Sequence, residues 1–219
     1  MINSENSKYI KIFWSIVLGG IILIVLMLTA ATYGLLGYMP SFEELENPKS
    51  NQATEVFSSD HKILGTYYVQ NRSNITRKDL SPYLVNALVA TEDARFFQHS
   101  GIDVRGLARA VVKTGILGQG AGGGSTITQQ LAKMLFHERP SSKIARVLQK
   151  VKEWIIAVKL EKQYSKDEIL TMYLNRFDFI NTAVGIKSAS YVYFNKAPDQ
   201  LKIEEAAMLV GMAKNPSLY

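Results

Sequence analysis

The sequence has no cysteine and only three histidines, which narrows the chemistry that it can perform. Without cysteine, the chain can form neither a disulfide bond nor a thiolate metal site. His61, His99 and His137 do not have the spacing of metal ligands relative to one another or to acidic residues. The sequence also lacks a Walker loop, a dinucleotide fingerprint and a G-x-S-x-G elbow. It therefore gives no sign of a nucleotide-dependent enzyme or of an α/β-hydrolase, and His99 is interpreted as structural.

Charged residues are missing from one long stretch near the N-terminus, residues 12–42. A membrane-spanning helix needs about 20 apolar residues, and a signal-peptide core has about 7–15. The length therefore favours a retained transmembrane anchor over residues 12–38, while "LTAATYG" leaves cleavage as an alternative. Lys8 and Lys11 precede the span, and three glutamates follow it. Because positive charge stays inside, the N-terminus is predicted to be cytoplasmic and the rest of the chain extracytoplasmic.

The overall charge is basic, with 25 Lys and Arg against 19 Asp and Glu. This balance is compatible with nucleic acid, but the predicted compartment argues against such a partner. Anionic lipid headgroups or pyrophosphate are better candidates.

The pattern predicts four regions, which are a cytoplasmic tail (1–11), the anchor (12–38), a linker (39–54) and one domain (55–219). The domain is predicted to be mostly α-helical, with a short β-hairpin near residues 55–75. Its length is sufficient for one hydrophobic core.

A carboxylate interrupts the apolar row of the first predicted helix of the domain. Ser81 and Pro82 are typical of a helix start, and Leu84 and Leu88 lie on one face of the helix. The next residue on that face is Glu92. Burial of a carboxylate favours its neutral form, so this position suits a group that accepts a proton.

A glycine-rich stretch, "GQGAGGGSTITQQLAK", precedes another predicted helix. Thr126 and Gln129 have the spacing of a capping box. Ser125, Gln130 and Lys133 lie off the apolar row of this helix. The segment could be an anion-binding helix start or a plain flexible loop with a solvated helix face, and both interpretations stay open.

Two further helices show polar faces. For the helix over residues 142–163, the predicted apolar stripe is Ile144, Leu148, Val151, Ile155 and Val158. Another face holds Arg146, Lys150 and Glu153, which could be a functional cluster or a surface salt-bridge row. On the helix that Asp103 is predicted to cap, Arg105, Arg109 and Lys113 form a basic stripe. This stripe could be a solvated face or could contact the membrane surface.

Four motifs then give a resemblance. "EDARFFQHSGID" (92–103), "GGSTITQQLAK" (123–133), "QKVKEW" (149–154) and "KDEILTMYLN" (166–175) resemble, in order, those of the peptidoglycan glycosyltransferases of family 51. The resemblance covers about residues 55–219. It implies a mostly α-helical fold similar to lysozyme, with a cleft facing the membrane. It also implies lipid II and the growing glycan strand as substrates, and inverting transfer from undecaprenyl pyrophosphate to the GlcNAc 4-hydroxyl.

The resemblance assigns roles to individual residues. Glu92 matches the catalytic general base, and Glu153 matches the second catalytic glutamate. Glu153 could act by holding a divalent metal, Mg²⁺ or Mn²⁺, or by orienting cations. Lys133 would neutralise charge on the leaving pyrophosphate. The full set of expected substrate-binding residues is Ser125, Thr126, Gln129, Gln130, Lys133, Arg146 and Lys150.

The chain also departs from the family pattern. Gln149 and Lys150 stand where the family usually has Arg-Lys, and Arg146 is one place away from the expected position of a further arginine. No transpeptidase motif is present in these residues, so the sequence does not decide whether such a domain follows. A lysozyme-like hydrolase and a non-catalytic membrane scaffold remain as alternatives. Other cell-wall synthesis proteins are further candidate partners.

Overall fold

A computed structural model describes residues 4–35, 39–41, 54–60, 63–67, 75–113, 124–136, 140 and 142–214 of the chain. The first element is helix α1, Ser4–Thr32. Its segment Lys8–Met27 has a mean hydropathy of 2.5, is not covered by other parts of the protein, and is long and apolar enough to cross a membrane. This agrees with an N-terminal anchor, although the observed helix begins before residue 12. Residues 36–38 of the expected anchor lie outside the described residues.

Two short strands follow, β1 (Thr54–Phe57) and β2 (Ile63–Tyr67). They pair antiparallel, with Thr54 opposite Tyr67 and an irregularity between Val56 and Phe57. They fall in the segment where the sequence predicts a hairpin. Residues 61–62 of their connection, and residues 68–74, lie outside the described residues.

Most of the remaining described residues are helical, which confirms the mostly α prediction. The seven α-helices described here after the strands are α2 (Pro82–Glu92), α3 (Val104–Val111), α4 (Ile127–Phe136), α5 (Lys143–Gln163), α6 (Lys166–Arg176), α7 (Ile186–Phe194) and α8 (Ile203–Lys214). The described residues also include three single-turn 3-10 helices, at Arg77–Asp79 before α2, Phe96–Gln98 between α2 and α3, and Pro198–Gln200 between α7 and α8.

Polar side chains cap several of these helices, and the caps predicted at Asp103 and Thr126 are among them. The Ser165 hydroxyl accepts from the Glu168 backbone N–H, and the Glu168 carboxylate accepts from the Ser165 backbone N–H, so the capping box is complete. Asp103 accepts from the N–H of Gly106 at 3.0 Å. At the start of α4 only half of the box forms. There the Thr126 hydroxyl accepts from the Gln129 N–H at 3.2 Å, while the Gln129 amide turns elsewhere.

The hydrophobic core lies where α2 packs against α8, and where α4 packs against α5 and α6. Its fully buried large side chains include Leu84, Leu88, Phe96, Ile127, Leu131, Ile156, Leu160, Ile169, Leu170 and Tyr173. Each such side chain gains about 1.5–3 kcal/mol from burial. The core therefore fixes the relative positions of α2, α4, α5 and α6, which supply the site described below.

The predicted apolar stripe of α5 is wrong in part. Ile144 is 74% exposed, whereas Val151 is buried as expected. The buried face instead runs through Glu153, Ile156, Ala157 and Leu160. The other three residues of the predicted stripe, Leu148, Ile155 and Val158, are half-buried, so the buried face is rotated from the predicted stripe towards Glu153.

Candidate active site

Glu92 is the last residue of α2, one turn beyond the fully buried Leu88. Its side chain is half-buried, and its Oε2 accepts a hydrogen bond from the Gln130 amide nitrogen at 2.8 Å. The other oxygen, Oε1, is buried and has no hydrogen-bond partner among the described residues. One oxygen is thus held in place by Gln130, and the other accepts no hydrogen bond from the described residues.

The cavity that Glu92 lines, here called the Glu92 cavity, has a volume of about 320 Å³ and positively charged walls. Arg95 lines it but pairs with Asp103. Arg109, Lys113 and Lys214 also line it and form no ion pair within the described residues. Arg105, the remaining member of the predicted basic stripe, lines a different cavity. All three stripe residues are exposed, and two of them line the Glu92 cavity, so the choice between a solvated face and a membrane contact stays open.

Asp93, the residue after Glu92, connects the end of α2 to the start of α4. Its buried carboxylate lies 3.0 Å from His99 Nε2 and accepts from the Ile127 backbone N–H at 3.2 Å. The His99 ring also packs edge-on against Phe96, with 6.2 Å between ring centroids. These contacts give His99 a structural task and fix the direction in which the chain leaves Glu92.

Gly101 provides a second connection between the same segments. Its carbonyl accepts from the Thr126 hydroxyl at 2.7 Å and from the Gln129 amide at 3.2 Å. A Cβ at Gly101 would stand 2.9 Å from the backbone of Ala157, and its φ of +88° also favours glycine. Thr126 and Gln129 are both buried, and the hydroxyl of the one and the amide nitrogen of the other already donate hydrogen bonds within the protein. Their expected contacts with substrate therefore stay predictions.

Glu153 lies on the buried face of α5, although the sequence allowed a surface salt-bridge row there. Its side chain is 6% exposed and accepts from Lys150 Nζ at 2.9 Å and from the Gln149 amide at 3.1 Å. Lys150 also donates to the Ser125 hydroxyl at 2.8 Å. A buried carboxylate needs such partners, because an unpaired buried charge is very costly. Glu153 thereby positions Lys150 towards Ser125 at the entry to α4.

A second cavity of about 860 Å³, here called the Glu153 cavity, collects most of the predicted site. Seven of the nine predicted residues line it, namely Ser125, Gln129, Gln130, Lys133, Arg146, Lys150 and Glu153. Glu92 and Thr126 line the Glu92 cavity, and Ser125 lines both. The two cavities therefore adjoin at Ser125, with one glutamate on each.

The described residues do not form a metal centre of their own. No group of three or more His, Asp or Glu side chains comes together in the described ranges. Glu153 is the one carboxylate among the residues that line its cavity, and both of its oxygens already accept hydrogen bonds. Lys133, Arg146 and Lys150 supply positive charge on the same walls. This donor set fits the binding of an anion, and the divalent cation at Glu153 stays a prediction.

Sequence reasoning missed a set of contacts that hold the site together. Lys166 donates to the His99 carbonyl at 2.7 Å and to Glu161 at 2.8 Å, and its ammonium lies 4.2 Å from the centre of the Phe96 ring. Tyr173 donates to the Gln130 side-chain oxygen at 3.1 Å. Both residues belong to the motif "KDEILTMYLN", which was the one signal in the sequence that could have pointed to them.

Comparison with known proteins agrees with this arrangement. Residues 60–219 match the Transglycosylase family. Penicillin-binding protein 1A of Neisseria lactamica is 38% identical over 212 residues, which is 97% of this chain and 26% of that protein. Penicillin-binding protein 1A of Escherichia coli strain K12 is 34% identical, over 89% of this chain and 23% of that protein. The chain thus spans about a quarter of the length of these relatives. It belongs to the transglycosylase family, the peptidoglycan glycosyltransferases that its four motifs indicate.

Proposed function

We propose that the chain polymerises lipid II into glycan strands in bacterial cell-wall synthesis. The observation that supports this most directly is the pair of adjoining cavities. One is lined by Glu92, whose Oε1 has no hydrogen-bond partner among the described residues, and the other holds Glu153 among cations. A glycosyl transfer needs a base beside the attacking hydroxyl and positive charge beside the leaving group. The Glu92 cavity would supply the base, and the Glu153 cavity would supply the positive charge.

In the proposed reaction, the incoming lipid II occupies the Glu92 cavity. Its GlcNAc 4-hydroxyl oxygen attacks the anomeric carbon of the growing chain, and the Glu92 carboxylate takes the hydroxyl proton. The bond from the anomeric carbon to the pyrophosphate oxygen breaks with inversion, and undecaprenyl pyrophosphate leaves with the electron pair. A well-placed base is worth about 10²–10⁴-fold in rate.

The leaving pyrophosphate would lie in the Glu153 cavity. Lys133, Arg146 and Lys150 are the cations that would stabilise its negative charge. The role of Glu153 in this scheme is to hold Lys150 in place. Arg109, Lys113 and Lys214 would similarly attract the pyrophosphate of the incoming lipid II.

The apolar α1 suits an anchor in the cytoplasmic membrane, where both lipid-linked substrates reside. With Lys8 and Lys11 on the inside, the catalytic domain would face the extracytoplasmic side. Other cell-wall synthesis proteins remain candidate partners there.

The test is to incubate the full chain, purified in detergent, with labelled lipid II and to separate the products by size. We expect glycan chains much longer than the substrate. Preformed glycan strands should keep their length in the same preparation. Shortened strands with no polymer from lipid II would instead identify a lytic hydrolase.

A further inference from the structure

Three helices meet through hydrogen bonds between side chains next to the base. Tyr173 of α6 is fully buried, and its hydroxyl donates to Gln130 Oε1 at 3.1 Å. The Gln130 amide nitrogen on α4 then donates to Glu92 Oε2 at 2.8 Å. Two hydrogen bonds therefore link a phenol in the core to the carboxylate that faces the Glu92 cavity.

The direction of each hydrogen bond in this chain is determined by chemistry. An ionised carboxylate can only accept, so Gln130 must turn its NH₂ group towards Glu92. The amide oxygen then faces Tyr173 and needs a donor. Burial raises the pKa of the Tyr173 hydroxyl, and the negative charge of Glu92 raises it further. The phenol consequently keeps its proton at every working pH and remains that donor.

We propose that Tyr173 is a positioning residue for the base, because it holds the Gln130 amide in the one orientation that stabilises ionised Glu92. The proposal rests on the proposed function, in which Glu92 takes the proton of the substrate hydroxyl. In the opposite orientation, Gln130 would direct its oxygen at Glu92. The Gln130 oxygen would repel an ionised Glu92 carboxylate but would accept a hydrogen bond from a protonated one. This orientation therefore favours protonated Glu92, which cannot act as the base.

A simple packing role is the competing explanation. The Tyr173 ring stacks on Phe177, with 5.8 Å between centroids and 27° between planes. Tyr173→Phe keeps the ring and this stacking but removes the hydroxyl. A packing role therefore predicts little change in catalysis for this variant.

The first test measures polymerisation of lipid II by full-length Tyr173→Phe against pH. We expect kcat to fall about tenfold, because a hydrogen bond that supports a charged group is lost, while KM stays within about twofold. The acidic limb of the rate–pH profile should also move to higher pH. The charged groups that line the cavity with Glu92 are unchanged in this variant, namely Asp93, Arg95, Asp103, Arg109, Lys113 and Lys214.

Tyr193→Phe is the matched control. The Tyr193 hydroxyl donates to the Phe179 carbonyl at 2.7 Å and accepts from the Asn181 amide at 3.1 Å, so this variant also loses the hydrogen bond that a tyrosine hydroxyl donates. Tyr193 does not line the Glu92 cavity. We expect its pH profile to match that of wild type.

The second test repeats the Tyr173→Phe change in a Gln130→Met background, which has no amide to orient. If Tyr173 acts through Gln130, the Tyr173→Phe change should lower kcat by less than about twofold in the Gln130→Met background. The same fractional loss in both backgrounds would overturn the proposal, and so would an unchanged pH profile in Tyr173→Phe.

The outcomes also separate this proposal from the proposed function. An active wild type with an unaffected Tyr173→Phe variant would refute the positioning role alone. A wild type that makes no polymer, or a fully active Glu92→Gln variant, would overturn both the function and the role of Tyr173 in it.

Discussion

Replacing Asp103 by alanine should lower the melting temperature of the protein by about 2–8 °C. Asp103 is the N-cap of α3, and its carboxylate accepts from the Gly106 N–H at 3.0 Å. Loss of such a cap costs about 1–2 kcal/mol. For a protein of about 150–250 residues, each kcal/mol moves the melting temperature by about 2–4 °C. The helix matters for function because Arg109 lies on it and lines the Glu92 cavity.

Asp103→Asn separates the cap from the charge. Asparagine is an equally good N-cap, so this variant loses mainly the ion pair with Arg95. Its melting temperature at neutral pH should fall by less than half as much as that of Asp103→Ala. Both variants would be melted in detergent by circular dichroism. Asp199→Ala, at an exposed site, serves as the control.

The effect of the charge should depend on pH in a definite direction. Burial tends to raise the pKa of Asp103, but the hydrogen bonds from Arg95 and the Gly106 N–H outweigh it, so the pKa is lowered in the folded protein. The unfolded chain therefore binds the proton of Asp103 more readily than the folded protein does. The stabilisation is fully present at pH values above the ordinary pKa of an aspartate, and it is lost as the pH falls through the lowered pKa of the folded protein. The difference between wild type and Asp103→Asn should therefore begin to narrow below about pH 4 and vanish only below the lowered pKa of Asp103. An Asp103→Ala melting temperature equal to wild type at pH 7 would refute the reasoning.

Two further predictions concern the charges of the site. Glu153→Gln should slow polymerisation by weakening its hold on Lys150. If a divalent ion also acts there, a chelator should slow wild type but hardly affect Glu153→Gln, whereas equal fractional slowing of both would exclude that ion. Within the basic stripe, Arg109→Gln combined with Lys113→Gln should raise the KM for lipid II, by about 2–5-fold for each exposed ion pair lost. Arg105→Gln, whose side chain lines another cavity, should leave the KM unchanged, and equal effects of all three substitutions would contradict this division.

Local patterns in the sequence predict the helices and most of their caps. The Ser165–Glu168 box and the Asp103 cap depend on residues three apart in the chain, so their spacing is directly visible. The position of Glu92 could also be predicted, because α2 continues the row of Leu84 and Leu88 up to its last residue.

Contacts between distant segments could not be predicted in this way. Gln130 reaches Glu92 across 38 positions, and Tyr173 reaches Gln130 across 43. Periodicity reports which residues share a helix face, but it does not report which partner that face meets. The same limit explains the burial of Glu153, since only the packing of α5 on α4 decides which side of α5 is covered.

The assignment of the base is tested most directly by the rate at which Glu92→Gln polymerises lipid II. The glutamine keeps the shape of the side chain but cannot accept the proton. We predict a loss of at least about 10²-fold, with a circular dichroism spectrum and melting temperature close to those of wild type. A Glu92→Gln variant that polymerises at a near-normal rate would show that another group removes the proton.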